Sequence, residues 1–278
     1  MFSILIPTWN NLEMLKLCVE AIRQNSTFEH EIILHINESS DGTQKWADTE
    51  GVVYTMSAEN IGICKAMNLA FGKATKDLIL YLHDDMYVLP EWDKFLVEEL
   101  QTIDNPYFML SSTLIQPTPH SYLGMIFSDY GRDLATFQKE KLLTDFRQFE
   151  MSDWYGSTWP PLVVSREAWL VIGGFSIEFS PGMYSDPDFS MKMWLAGCRI
   201  FKGLGKSRVY HFQSRSTGRV KRNEGRIQFM KKWGIPASAF YTQYLKMGEP
   251  YKGILGENTE GVAWKIQRLK ARFYAFFK

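Results

Sequence analysis

Asp84 and Asp85 stand at the end of an apolar run, Leu78–Leu82, with only His83 between. The run LILYL has the composition of a buried strand. Two negative charges at the tip of such a strand are costly unless a cation meets them. A Lys, an Arg or a metal ion can do so; otherwise the pair is a solvated turn. A hard divalent cation prefers carboxylate oxygens and keeps positions open for phosphate oxygens. One carboxylate could then bind metal while its neighbour accepts a ribose hydroxyl. A second pair, Asp186 and Asp188, lies in YSDPDFSMKMWLAG. Its spacing puts both near a helix N-terminus, where negative charge gains roughly 0.3–1 kcal/mol. Capping by Ser185 or Asp186 is one reading. The other is a general base that takes the proton of an attacking hydroxyl. His211, in VYHFQS, is the third candidate. A lone His is more often structural or solvated. As a metal ligand its imidazole suits manganese better than calcium.

These residues need a frame. Phe2–Pro7, Glu31–Asn37, Val52–Met56 and Leu78–Leu82 read as strands. Helical spacing separates them: Leu12, Leu15, Val19 and Ile22 after a cap at Asn10 or Asn11, then Ile61, Met67, Leu69 and Ala70 after a cap at Asn60. Pro90 opens another helix. Such alternation predicts an α/β fold with mostly parallel strands and right-handed crossovers. Ligands bind such sheets beyond the carboxyl ends of the strands. Pro7–Asn10, Asn37–Asp41 and His83–Asp85 should therefore converge on one crevice. Beyond Pro106 the pattern loosens. Residues 128–153 are charged and read as an insertion or lid. Leu162–Val164 reads as a strand, Arg166–Ile172 as a helix ending at Gly173-Gly174, and Ser185–Ala196 as a helix closed by Gly197.

The chain has 278 residues, 45% of them hydrophobic, so a substantial core forms. Lys+Arg 31 balances Asp+Glu 31, which gives nucleic-acid binding no support. The 3 cysteines, Cys18, Cys64 and Cys198, lie far apart, against a disulfide framework or a cysteine zinc site. No signal peptide and no spanning run are read, so a cytoplasmic location is expected.

Taken in order, the motifs resemble the family 2 glycosyltransferases of the GT-A fold. SILIPTWNN is similar to their opening strand, SSDGT to the turn after their second strand, and AENIGICKAMNLAFGKATKDLILYLHDD to the segment ending in their DXD-type motif. GGFSIEFSPGMYSDPDFSMKMWLAGCRI resembles their acceptor-side segment, and VYHFQSRS the segment with their late metal-binding His. The resemblance covers about residues 1–215. It implies a Rossmann-like GT-A domain over 1–215, with a nucleotide-sugar half at 1–105 and an acceptor half at 106–215. A basic flap and helical extension would occupy 216–278.

The resemblance also implies roles. Pro7, Thr8 and Asn10 would line the nucleotide pocket, and Asn37 would stand where a base-reading Asp is common. Asp84 would approach the ribose. Asp85 and His211 would hold Mn²⁺ or Mg²⁺. Asp186 would be the catalytic base, with Asp188 supporting it or positioning the acceptor. The implied reaction is inverting sugar transfer from a nucleotide-diphosphate sugar, a UDP-sugar first, to a glycan or lipid-linked acceptor in surface polysaccharide or glycoconjugate synthesis. Asn37 and Ser185 depart from the common Asp and Glu, and His83 replaces the first Asp of the metal motif. His83 is read here as a neighbour of the metal rather than a ligand. Two rival readings are a silent sugar- or nucleotide-binding module and a sugar nucleotidyltransferase. The latter needs a glycine-rich basic loop that Thr8–Asn11 lacks.

Two basic segments remain. Arg215, Arg219, Lys221, Arg222 and Arg226 form either a solvated loop or a flap over phosphate. In 262–278, Ile266, Leu269, Phe273 and Phe276 share one helical face, and Lys265, Arg268 and Arg272 another. That segment either packs on the domain or lies peripherally on the inner face of an anionic membrane.

Overall fold

The computed structural model describes residues 1–119, 124–213, 223–257 and 261, and residues 265, 266, 268, 269, 271 and 273 of the C-terminal helical segment. Its first half is the alternation read above. β1 (Phe2–Thr8), α1 (Leu12–Asn25), β2 (Glu31–Asn37), α2 (Thr43–Glu50), β3 (Val53–Ser57), α3 (Gly62–Phe71) and β4 (Leu78–Tyr81) follow in turn. β1 pairs in parallel with β2 and β4, and β2 with β3. The period of a strand decides the two faces. Ile4, Ile6, Leu34, Ile36 and Leu80 join one core cluster with Leu15, Val19 and Ile22 of α1. Leu5, Ile33, Ile79 and Tyr81 join the other with Cys64 and Met67 of α3. Both faces are covered, so these strands read as nearly continuous apolar runs.

The second half is mixed. β5 (Met86–Val88) and α4 (Trp92–Leu100) precede β6 (Phe108–Gln116), β7 (Met125–Phe127), α5 (Lys139–Asp145) and β8 (Trp154–Tyr155). Then come β9 (Leu162–Ser165), α6 (Arg166–Ile172), α7 (Ser185–Leu195), β10 (Ile200–His211), α8 (Gly225–Trp233) and the short α9 (Ala237–Ala239). The sheet order is β3-β2-β1-β4-β9-β6-β10-β5, with β7 on β6 and β8 on β10. β9 runs antiparallel between β4 and β6. β10 is parallel to β6 but antiparallel to β5. The fold is thus α/β, with a parallel first half and a mixed second half.

β10 has 12 residues and ends at His211. Lys202, Gly203, Gly205, Lys206 and Arg208 mask its strand pattern. Lys206 is exposed, and the other two charges are satisfied internally. Lys202 Nζ meets Glu99 at 2.6 Å and Asp153 at 3.0 Å. Arg208 donates to the carbonyls of Gly205, Phe146 and Phe149 beside a register shift in the β6 pairing. Residues 128–153 pack on this strand: Tyr130, Leu142 and Phe146 are buried, and Tyr210 Oη donates to the Gly131 carbonyl at 2.7 Å.

Three expected caps differ. Asn10 and Asn11 make no side-chain cap on α1; Leu12 N donates instead to Asp41 Oδ2 at 2.8 Å. At α3, Asn60 Oδ1 does accept from Gly62 N at 2.9 Å, although the cap position is Ile61. At α7 the cap position is Tyr184, with no side-chain cap bond, and Ser185 Oγ donates back to the Gly182 carbonyl at 2.7 Å. The Asp186 carboxyl is therefore not spent on capping. The expected end of the next helix holds, since Gly173 closes α6 in the left-handed region; its start is capped by Ser165 Oγ, which accepts from Ala168 N.

Candidate active site

β1, β2 and β4 end on the same side of the sheet, and their following loops open a cleft of about 460 Å³. Pro7, Thr8, Asn37, Asp84, Asp85, Asp186 and His211 all line it. These residues come from sequence positions up to about two hundred apart; parallel pairing of β1, β2 and β4 collects those of the first half. Asn10 is the exception in the pocket set. It holds a left-handed φ of 45° and accepts from Ser40 N at 2.9 Å, tying the first loop to the second. It shapes the wall and is not among the lining residues.

Asp84 and Asp85 are 9% and 5% exposed. Thr8 Oγ1 donates to Asp84 Oδ2 at 2.7 Å, which fixes that carboxylate against the first loop. Asn37 is locked as well. Its Oδ1 accepts from Ile61 N at 2.9 Å, and a backbone N–H can only donate, so the amide orientation is determined. Asp85 is brought to His211 by the β5–β10 ladder: Met86 pairs with His211, and Phe212 N donates to the Asp85 carbonyl at 3.1 Å. His211 Nε2 lies 3.4 Å from Asp85 Oδ1.

His83 also reaches this cluster. Its Nδ1 is 4.0 Å from Asp85 Oδ1, and its Nε2 is 2.8 Å from Tyr81 Oη. One donor atom each from His83, Asp85 and His211 lie within 4.8 Å of one another. Burial pulls the His83 imidazole down to about 4, with the neighbouring His211 adding to this and Asp85 opposing it. His83 is therefore neutral at pH 7, with a lone pair to offer. His211 Nδ1 is buried and lacks a hydrogen-bond partner. Two imidazoles and a buried carboxylate, so closely spaced, fit a divalent cation.

Across the cleft, Asp186 begins α7 beside Pro181, Gly182 and Met183. It is partly accessible from the cleft, yet enclosed enough that desolvation raises its carboxyl to about 7. A carboxylate of that basicity matches a general base near neutrality. Asp188 faces elsewhere. It is fully buried and accepts from Trp233 Nε1 at 2.9 Å and pairs with Lys232 at 2.8 Å. Lys232 also meets Glu178 at 2.8 Å. Burial would depress the lysine, but Asp188 and Glu178 outweigh it and hold its pKa up. Asp188 thus anchors α8 to α7 and does not line the cleft. Asp188→Ala would leave that ammonium with Glu178 and the Ser176 hydroxyl. The expected loss is about 2–3 kcal/mol, below the ~3–5 of a fully buried pair because Lys232 is partly exposed. Urea unfolding reads it, and an unchanged midpoint would deny the anchoring role.

Gly62 sets the distance between the two walls. Its φ is +77°, and a Cβ there would sit 2.5 Å from Pro181 Cα, while Ile63 N donates to the Pro181 carbonyl at 2.8 Å. Only glycine permits this approach. Gly62→Ala is expected to displace the 181–184 loop and slow the reaction this cleft carries by tenfold or more, with about 1–2 kcal/mol of stability lost. Steady-state rates beside a melt separate the two; a normal rate would show that the wall tolerates the shift.

Trp9, Tyr81, Tyr184 and Gln213 also line the cleft and were not singled out in the sequence, and Asn60, read there only as a cap, lines it too. Tyr184 and Gln213 hold left-handed φ values of 69° and 57°, a strain that tends to gather at functional sites. No sequence pattern announces it, since neither is Gly or Asn. Trp9 was legible in principle, as an aromatic one residue past Thr8 at a strand end. Its Nε1 donates to Glu38 at 3.0 Å, leaving the ring against the cleft. Of the basic segment after His211, Arg226 is described, at the start of α8, and the other four residues lie outside the described residues.

The sequence model of the family described as Glycosyl transferase family 2 matches residues 3–153. Among curated proteins none matches. Solved structures do. Staphylococcus aureus TarS 1–349 in complex with UDP superposes with a TM-score of 0.56 at 15% identity, over 75% of this chain and 59% of that one. The complex of the same fragment with UDP-GlcNAc gives 0.52 at 18% identity, over 77% and 60%. GalNAc-T7 with UDP, GalNAc and Mn²⁺ gives 0.58 at 14% identity, over 87% and 50%. The matched region is thus at most about 60% of each neighbour's length. At these identities the likeness is one of fold.

Proposed function

Because the chain belongs to glycosyl transferase family 2, we propose that it transfers a sugar, with inversion, from a nucleotide-diphosphate sugar to a hydroxyl of a glycan or lipid-linked acceptor. The observation that carries this is a single cleft joining the Thr8–Asp84 pair, the Asp85–His211 donors and the uncommitted carboxyl of Asp186. The neighbours' UDP and UDP-GlcNAc complexes support uracil as the base and a UDP-sugar as donor. Surface polysaccharide or glycoconjugate synthesis is the setting we infer.

Asn37 and Trp9 would receive the base, one by its fixed amide and the other by its ring. Asp84, steadied by Thr8, would accept a ribose hydroxyl. Asp85 and His211 would hold the divalent cation, Mn²⁺ or Mg²⁺. Bound there, such an ion neutralises charge on a departing diphosphate. Asp186 takes the proton of the acceptor hydroxyl on the opposite wall, and its raised basicity suits that task. Holding both substrates in one cleft supplies much of the remaining rate. Asp188 supports this indirectly, by holding α7 against α8. Release of free or transferred sugar from a panel of UDP-sugars, with a glycan acceptor panel, tests the reading. No turnover with any donor, beside normal UDP binding, would favour a silent binding module.

We place the protein in the cytoplasm, with peripheral contact to an anionic membrane. No helix among the described residues is long and apolar enough to cross one. Ile266, Leu269 and Phe273 are exposed, while Ala271 packs on Met230 and Ile227. The stretch 262–278 carries Lys265, Arg268, Lys270, Arg272 and Lys278 and no acid. An exposed apolar stripe among positive charges suits an anionic interface. Removal of 262–278 should abolish flotation with phosphatidylglycerol vesicles, and salt should weaken it in the full chain. Equal flotation of the truncated chain would end this assignment.

A further inference from the structure

We propose that His83 is a third protein ligand, so that the site is a two-imidazole, one-carboxylate triad that selects Mn²⁺ or Co²⁺ over Mg²⁺ and Ca²⁺. The inference rests on the cation site of the proposed function and names the class of ion it takes. His83 stands where a carboxylate is common in the resembling family, so the consequence belongs to this chain.

The two ring nitrogens of His83 are divided between two partners. Nε2 is held by the buried Tyr81 hydroxyl at 2.8 Å, and the rings of Tyr81 and His83 meet edge-on at 5.2 Å. Nδ1 is thereby aimed at Asp85 Oδ1, 4.0 Å away. That distance is too long for a hydrogen bond. It suits two ligands of one ion. Bonds of roughly 2.1 Å place ligand atoms roughly 3–4.2 Å apart. The His211–Asp85 separation of 3.4 Å falls in the same range. The widest separation is within 4.8 Å, so the imidazoles need close by only about half an ångström on binding. Tyr81 has the place of an outer partner that orients a metal-bound imidazole. With Nε2 engaged by Tyr81 Oη, Nδ1 is the ring nitrogen left facing the carboxylate, where a cation between them would be held.

Ion choice follows from the donors. A carboxylate in place of His83 would bring a second negative charge and a hard oxygen, which suit Mg²⁺ and Ca²⁺. An imidazole brings neither. It favours ions later in the first transition row, while the remaining positions stay open for oxygen ligands.

The experiment is titration calorimetry of the metal-free full chain with Mn²⁺, Co²⁺ and Mg²⁺, without nucleotide, together with the visible absorption of Co²⁺. His83→Asn should weaken Mn²⁺ and Co²⁺ by tenfold or more and alter the Co²⁺ bands, with little effect on Mg²⁺. His83→Asp should turn the preference toward Mg²⁺. Tyr81→Phe, which removes one oxygen and keeps the packing, should weaken Mn²⁺ by about 10–100-fold. Asp85→Asn is the control. Unchanged Mn²⁺ affinity in His83→Asn, beside its loss in Asp85→Asn, overturns the third ligand and leaves the cation site standing. Unchanged affinity in both overturns the cation site too, while UDP binding in EDTA still reports separately on the nucleotide pocket.

Discussion

Asp186→Asn should lower sugar transfer by at least ~10²–10⁴-fold while leaving UDP affinity within a factor of two. The magnitude is that of a positioned general base. The pairing of a large rate loss with intact binding is what separates a base from a wall residue. Asn keeps the shape of Asp and removes only the acceptor of the proton. Asp186 makes no cap bond at α7, so the substitution removes no helix-end hydrogen bond. The wild-type pH profile supplies a second readout. The base works as the carboxylate, and burial raises its pKa to about 7. The rate should therefore rise through about pH 7 and flatten above it, and this limb should vanish in the residual activity of the variant. The same shift has a stability consequence of fixed sign. A carboxyl harder to ionise when folded costs stability above its unfolded value, so Asp186→Asn should melt slightly higher at pH 8 and equally at pH 4. Full transfer by Asp186→Asn would remove it from the mechanism.

Asp85→Asn should eliminate the metal-dependent stabilisation of the protein by UDP. A ligand at ~100 times its dissociation constant adds about 2.7 kcal/mol. For a chain of this size that is a rise of about 5–10 °C in melting temperature. The wild type should show it with UDP and Mn²⁺ together and much less with either alone, since Asp84 and Asp85 share a wall of the cleft. In Asp85→Asn the UDP shift should be the same with and without Mn²⁺. GDP, CDP, dTDP and ADP beside UDP show which base Asn37 admits. A metal-dependent shift that survives Asp85→Asn would place the cation elsewhere. No shift for any nucleotide in the wild type would return Asp84 and Asp85 to an ordinary turn.

The first half of the fold was readable because its strands are short, apolar on both faces and separated by helices of clear period. β1, β2 and β4 fall within a residue or two of where the pattern puts them. The second half was harder for a definite reason. β10 threads Lys202 and Arg208 through a sheet, and each is tolerable only because partners far off in sequence receive it, while Lys206 faces solvent. Local composition then argues against the strand that exists. The candidate site divides in the same way. Asp84, Asp85, Asp186 and His211 were found by residue type and position. Asp188 was found by the same signal, and its partners Lys232 and Trp233 show it anchoring α8.

The amino-acid sequence by itself determined the α/β class, the family and the four carboxylates and one imidazole most worth testing. It could do so because strand and helix periods, and ordered motifs, are local properties. Only the tertiary structure decided which of those residues share a cleft. The antiparallel β5–β10 ladder sets His211 beside Asp85, and the Tyr81 hydroxyl turns His83 toward the same point. Both depend on contacts between segments whose local patterns are independent. Proximity of that kind is fixed by packing the whole sheet, and no short stretch of sequence encodes it.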